Sequence, residues 1–289
     1  MVRVLTFHSF LEVLKLSRVP NLVIIVFTQY LAALFLTEYD ASRWLILFDV
    51  RLFLIVLSTV LIAAAGYYIN DYYDIKIDMI NKPEKVIVGN KLDRRPVLIW
   101  HLIFNGIGII LGTYVSIWIG LVNLLASFLL WIYSNQLKRL PLIGNVSVAF
   151  LTGLSLLVLA LYYRSSEFLI FIYAFFAFGI TLIREIIKDM EDMKGDEAFG
   201  CKSLPIVLGI RKTKWILYVL ILGFTLSLFY FATQMRSITM TGYFLLLLIP
   251  SIFLIYKLIN ADTKHHFYEL SQYCKWLMVG GVLSMTLVN

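Results

Sequence analysis

The sequence predicts an all-α polytopic membrane protein: nine transmembrane helices in a bundle built from two four-helix-type repeats around a central cavity. Three observations carry that expectation. Of 289 residues, 61% are hydrophobic and only 15% charged, whereas soluble domains carry roughly 25%, so the bilayer is the solvent to reason in. Predominantly apolar runs recur along the whole chain, most near the roughly 20 residues needed to cross the hydrocarbon. No segment alternates polar and apolar residues with the period of a barrel strand.

The elements follow in order. Arg3, Glu12, Lys15 and Arg18 interleave with apolar residues at helical spacing, which predicts an interfacial amphipathic helix over Phe7–Leu16 rather than a cleavable signal. Spans are expected at Val19–Leu36, Leu52–Ile69, Val97–Ser116, Ile119–Tyr133, Leu142–Leu161, Phe168–Ile187, Trp215–Thr233, Thr241–Ile259 and Cys274–Val288. The break between the third and fourth falls near Trp118 and Gly120. With the N-terminus in the cytoplasm, only Arg43, Arg51, Arg164 and Arg236 of the 25 Lys and Arg face outward. That skew is what the positive-inside rule expects of nine spans with the C-terminus outside, in the plasma membrane of a prokaryote. The formal charge of +7 is then a topology signal with some attraction to anionic lipid. It implies no nucleic-acid partner and no obligate protein partner. Two cysteines, Cys201 and Cys274, make no disulfide framework. The whole chain, 1–289, reads as one domain.

One internal repeat carries the chemistry. Asp71, Asp74, Lys76 and Asp78 recur as Asp189, Asp192, Lys194 and Asp196, each 118 residues later (189 less 71). The two copies sit in cytoplasmic loops, 70–96 and 188–214, after the second and sixth spans. Parallel repeats tend to place a binding site between their halves. If the helix continues through each motif, its three carboxylates fall within an arc of about 60° at 100° per residue. Carboxylates gathered in this way repel strongly in a low dielectric and call for a cation. Mg²⁺ suits them, because it takes oxygen ligands from one or two carboxylates and from substrate phosphates. Zinc does not, since no His/Cys pairs stand at its spacing; His265 and His266 are adjacent loop residues, expected in solvent. No nucleophile–base triad or Gly-rich phosphate loop is present.

At these residues the sequence resembles the UbiA superfamily of intramembrane prenyltransferases. The family's first motif, N-D-x-x-D-x-x-x-D, stands as Asn70-Asp71-Tyr72-Tyr73-Asp74-Ile75-Lys76-Ile77-Asp78, followed by Asn81-Lys82-Pro83. The second is Asp189-x-x-Asp192-x-x-x-Asp196, then Gly200, Lys202, Ser203 and Pro205. Tyr133-Ser134-x-x-Leu137-Lys138-Arg139 and Arg18-x-Pro20-Asn21 are further matches.

The resemblance implies an alkyl-transfer enzyme that binds an allylic prenyl diphosphate through Mg²⁺ held by Asn70, Asp71, Asp74, Asp78, Asp189, Asp192 and Asp196. Asp71, Asp74, Asp192 and Lys138 are the implied catalytic residues. Asn70, Lys82, Lys138, Arg139, Arg184, Lys188 and Lys202 would hold the diphosphate, and Arg18, Asn21, Tyr67 and Tyr133 would line the substrate and acceptor pocket. Tyrosine faces at 67, 68 and 133 could stabilise a prenyl cation, although packing is the commoner use. The wording Arg184-Glu185-x-x-Lys188-Asp189 is most similar to the digeranylgeranylglyceryl phosphate synthase branch, which implies a prenylglyceryl phosphate acceptor. An aromatic quinone precursor of the hydroxybenzoate or dihydroxynaphthoate type is the alternative, as is UbiA-type terpene cyclisation. One departure stands out: after the first motif, where many members carry a second Pro and another Arg, this chain has Glu84-Lys85-Val86-Ile87-Val88-Gly89.

Overall fold

The computed structural model describes residues 7–37, 43–163, 167–234 and 238–288. Arg3, Arg164 and Arg236, which entered the charge count, lie outside them. Ten helical segments follow in order among the described residues: α1 (Phe7–Leu16), α2 (Val19–Leu36), α3 (Val50–Asn81), α4 (Arg94–Val115), α5 (Ile117–Asn135), α6 (Ile143–Ala160), α7 (Glu167–Ala198), α8 (Leu204–Gln234, broken by a kink at Gly209), α9 (Ile238–Ile259) and α10 (Lys264–Leu283). Among the described residues there is no β-strand beyond an isolated Val88–Leu92 bridge.

Helices α1 and α2 begin and end where the sequence places them. Among the described residues eight helices, α2 to α9, are long and apolar enough to cross a membrane. The ninth expected span needs a boundary correction: α10 starts at Lys264, ten residues before Cys274, and a 3-10 turn over Ser284–Leu287 follows it. Its first half is too polar for hydropathy to mark. The α4–α5 break also moves, to Ser116, whose extended backbone separates the helices and whose hydroxyl accepts from the Trp118 N–H at 3.3 Å. Gly120 lies inside α5, against Thr113 of α4, where a Cβ would stand 2.1 Å from the threonine oxygen. Only glycine permits that approach.

The motifs are helical rather than looped, which corrects the boundaries drawn at 70 and 188. Helices α3 and α7 each run 32 residues, about 48 Å at 1.5 Å per residue, against a hydrocarbon core of roughly 30 Å. The excess carries the aspartates. Helix α3 starts on Asp49, whose carboxylate accepts from the Arg51 N–H at 2.8 Å. It stops at Lys82, the residue before Pro83, where the proline ring disfavours helical backbone and the Lys82 N–H closes on the Asp78 carbonyl at 2.8 Å. Helix α7 ends differently. Gly200 takes φ +71, its N–H reaches the Glu197 carbonyl at 3.1 Å and the Cys201 N–H reaches that of Asp196 at 2.9 Å. This is a Schellman cap, which favours glycine at the left-handed position.

The chain forms two compact units, residues 1–30 with 44–137 and residues 31–43 with 138–289. In the first, α3 packs against α1, α4 and α5. Buried polar contacts join its spans: Asn123 donates to Ser58 at 3.1 Å and to the Gly108 carbonyl at 3.0 Å. Such bonds hold helices together where lipid supplies no hydrophobic drive. In the second, α7 packs against α6, α8 and α10. Its Ile183, Ile186, Ile187 and Met190 are buried in one core with Leu217, Leu254, Phe267 and Leu270.

Candidate active site

In the first unit, the arc condition for Asp71, Asp74 and Asp78 is met, because α3 is helical throughout the motif. The chain reaches that motif a second time through Arg18, between α1 and α2. Arg18 has φ +50, a left-handed backbone that costs a non-glycine residue about 1–3 kcal/mol and that persists where surroundings enforce it. The turn sends the guanidinium to Asp71, with Nη2 donating to Oδ1 at 2.7 Å, and across the face of Tyr67 at 4.9 Å. Burial works against the Arg18 charge, but Asp71 outweighs it and raises the pKa. Tyr67, expected in the acceptor pocket, therefore offers its face to Arg18. Tyr68 is buried and shares a 2.7 Å hydrogen bond with Ser17, a packing role.

Contacts from α1 hold this corner. Leu16 packs with Tyr68, Ile75, Val86, Val88 and Val97. Buried Glu12 accepts from Lys15 at 3.1 Å and from Lys91 at 3.3 Å. Burial alone would raise the Glu12 pKa, but the two ammonium groups hold it below the usual carboxylate value. The departure at 84–89 has a structural counterpart: Val86 and Val88 turn into this core, and the Gly89 N–H closes on the Leu92 carbonyl at 2.7 Å.

In the second unit, Asp189, Asp192 and Asp196 lie along α7, opposite its buried isoleucines. Asp189 Oδ2 accepts from Asn145 Nδ2 at 2.8 Å. The sequence reading missed Asn145, on the first turn of α6. It follows Leu142, whose φ is +66. The sequence held a signal for it at a second offset: Arg18 and Asn21 stand 124 residues before Leu142 and Asn145 (142 less 18, 145 less 21). Each pair is a left-handed residue three positions ahead of an asparagine as a helix begins.

Glu185 was also missed. It is 7% exposed. Its Oε1 accepts from Arg184 Nη1, and its Oε2 lies 4.0 Å from Lys188 Nζ. The Arg184 Nε is buried with no hydrogen-bond partner. Lys138 and Arg139 lie on the 3-10 turn Leu137–Arg139, and the Lys202 N–H donates to the Arg139 carbonyl at 2.8 Å. The segment leaving the second motif thus pairs with the predicted basic loop. Asn70, Lys82, Asn21 and Tyr133 belong to the first unit, on α3, at its C-cap, on α2 and on α5 respectively.

Among the described residues, no three His, Cys, Asp or Glu groups are arranged to hold a metal unaided. An all-oxygen donor set without a closed cage fits Mg²⁺, which keeps positions for water and substrate phosphate. Cys201 and Cys274 are buried and form no disulfide, and His265 and His266 are exposed.

Residues 25–275 match the UbiA prenyltransferase family. The chain belongs to that family. It is accordingly an integral membrane prenyltransferase. It is 36% identical over 215 residues to a digeranylgeranylglyceryl phosphate synthase of Methanosphaera stadtmanae, covering 73% of this chain and 78% of that protein. With the Methanococcoides burtonii protein of the same name it shares 31% over 276 residues, 94% and 97% of the two chains. A solved digeranylgeranylglyceryl phosphate synthase structure shares the fold with a TM-score of 0.73 at 22% identity, over 96% of this chain and 98% of that one. A UbiA homolog from Archaeoglobus fulgidus bound to GPP and Mg²⁺ shares it at a TM-score of 0.66 and 16% identity, over 95% and 99%.

Proposed function

We propose that this prenyltransferase moves a geranylgeranyl group from its allylic diphosphate to the hydroxyl of a prenylglyceryl phosphate, with Mg²⁺ and with release of diphosphate. The observation that carries the acceptor is the cation pair Arg184 and Lys188, held by buried Glu185 next to the second motif. An acceptor bearing its own phosphate needs cations beyond those that grip the diphosphate, and a guanidinium matches phosphate geometry. The relatives named for this acceptor support the same reading.

Asn70 and the six aspartates are the assigned Mg²⁺ ligands, a role supported by their helical register and by the Mg²⁺-bound A. fulgidus relative. When bound, Mg²⁺ neutralises diphosphate charge and makes it a better leaving group. Lys82, Lys138, Arg139 and Lys202 hold diphosphate oxygens, and positive charge fixed there before the reaction favours the departing anion. Arg18, Asn21, Tyr67 and Tyr133 border the reacting carbon and the acceptor. The basic residues inside and the apolar spans support a plasma-membrane enzyme with its N-terminus and aspartates in the cytoplasm.

The test is purified protein with Mg²⁺, geranylgeranyl diphosphate and a panel of acceptors, read by mass spectrometry. A prenylated glyceryl phosphate is expected. A prenylated hydroxybenzoate or dihydroxynaphthoate, or a cyclic hydrocarbon formed without acceptor, would overturn the assignment.

A further inference from the structure

A carboxylate that the metal and diphosphate roles leave unused lies on the working face of α7. At 100° per residue, Glu185 falls at the centre of the arc of about 60° that contains Asp189, Asp192 and Asp196. It sits one turn, about 6 Å, toward the membrane from Asp189. A prenyl diphosphate held by its phosphates at the aspartates points its tail into the apolar region. So held, it would carry C1 on the membrane side of the aspartates, toward Glu185.

The side chain is prepared for a charged role. Burying a carboxylate is costly unless it is paired, and Glu185 is flanked by Arg184 and Lys188. The first copy of the repeat carries no carboxylate at the matching position. The position 118 residues earlier (185 less 118) is Tyr67, whose face holds Arg18. The two copies of the repeat therefore carry different chemistry at the matching position: an aromatic ring in one, a carboxylate in the other.

We infer that Glu185 is the general base of the transfer step. The bond between C1 and the bridging diphosphate oxygen breaks, and its electron pair leaves with diphosphate. The acceptor hydroxyl oxygen bonds to C1, its O–H bond breaks, and the proton passes to the Glu185 carboxylate. Arg184 and Lys188 hold that carboxylate in place. The inference rests on the hydroxyl acceptor proposed above.

The test compares wild type, Glu185→Gln, Glu185→Asp and Arg184→Gln. Each is given Mg²⁺, geranylgeranyl diphosphate and geranylgeranylglyceryl phosphate, with ether product and free geranylgeraniol followed together. Glu185→Gln should lose ether formation by about 10²–10⁴-fold, the usual contribution of a general base. It should keep the KM of geranylgeranyl diphosphate and divert part of the diphosphate to hydrolysis, while the acceptor KM rises as Arg184 and Lys188 lose their anchor. Glu185→Asp should recover part of the rate, and Arg184→Gln should raise the acceptor KM instead. Ether formation by Glu185→Gln within a few-fold of wild type would overturn the inference. So would a loss confined to the acceptor KM, since Glu185 would then only position Arg184. If wild type forms no ether from this acceptor, the acceptor assignment fails separately. A Glu185→Gln enzyme as active as wild type on whatever acceptor is used then overturns the base as well.

Discussion

The entries to α2 and α6 are built alike and used differently. Each begins after a non-glycine residue in the left-handed region, Arg18 or Leu142, with an asparagine three residues on. In the first half the strained residue itself makes the contact, and Asp71 receives a guanidinium. In the second, the strained residue is a leucine and the asparagine makes it, so Asp189 receives the neutral amide of Asn145. A repeat conserves backbone geometry more readily than charge. Here the first motif meets a fixed internal cation before any metal arrives, whereas the Asn145 amide orients Asp189 without offsetting its charge.

The largest expected effect is common to both halves. Asp71→Ala, Asp74→Ala and Asp192→Ala should each cut turnover by about 10³-fold or more. Charge stabilisation of several kcal/mol is at stake, and each 1.36 kcal/mol is tenfold. Turnover and melting temperature in detergent check this; full activity in all three would end the metal–diphosphate assignment.

Asn145→Ala sharpens the comparison. Losing a hydrogen bond to a charged group costs about 1.5–3 kcal/mol, so Mn²⁺ binding, measured by titration, should weaken roughly 10- to 100-fold. Mn²⁺ affinity equal to wild type would show that the Asn145 contact does not shape the second motif.

A smaller contrast separates the strained residues. Leu142→Gly removes a left-handed penalty of about 1 kcal/mol at a partly exposed position, and should be neutral or stabilising in thermal unfolding. Arg18→Gly relieves the same strain but loses the Asp71 pair and the Tyr67 contact, and should destabilise. Equal shifts for the two would break the distinction.

The smallest effect belongs to Glu12, an anchor of the first unit. Its folded pKa is lowered, so its stabilisation is present above its ordinary 4.5 and is lost as pH falls through the folded value. The effect should be below about 1 kcal/mol, given partly exposed lysine partners. The melting-temperature gap between wild type and Glu12→Gln should be open at pH 7 and close as pH falls through the lowered folded value. A gap that stays constant as the pH is lowered would exclude the carboxylate charge as its source.

Much of this was legible in the sequence. The eight long apolar runs follow from hydrophobic length, and the aspartate faces from helical periodicity. Lys138, Arg139 and Lys202 stand out in the sequence as basic residues flanking the motifs, whereas the backbone contact between Lys202 and Arg139 does not. The extension of α3 and α7 through their motifs was less legible, because polar residues beyond the bilayer read as loop by hydropathy although the backbone hydrogen bonds continue. Glu185 was visible in the motif but drew no role, because adjacent opposite charges look self-neutralised until burial is known.

The sequence by itself determined the spans, the doubled motif and its register, all of which arise within one helix or from a fixed repeat. Tertiary structure alone decided the partners of the aspartates. Arg18 meets Asp71 across 53 residues and Asn145 meets Asp189 across 44. No periodicity connects such positions. They meet because a left-handed turn aims one side chain and helix packing brings α6 against α7, and both are properties of the folded chain.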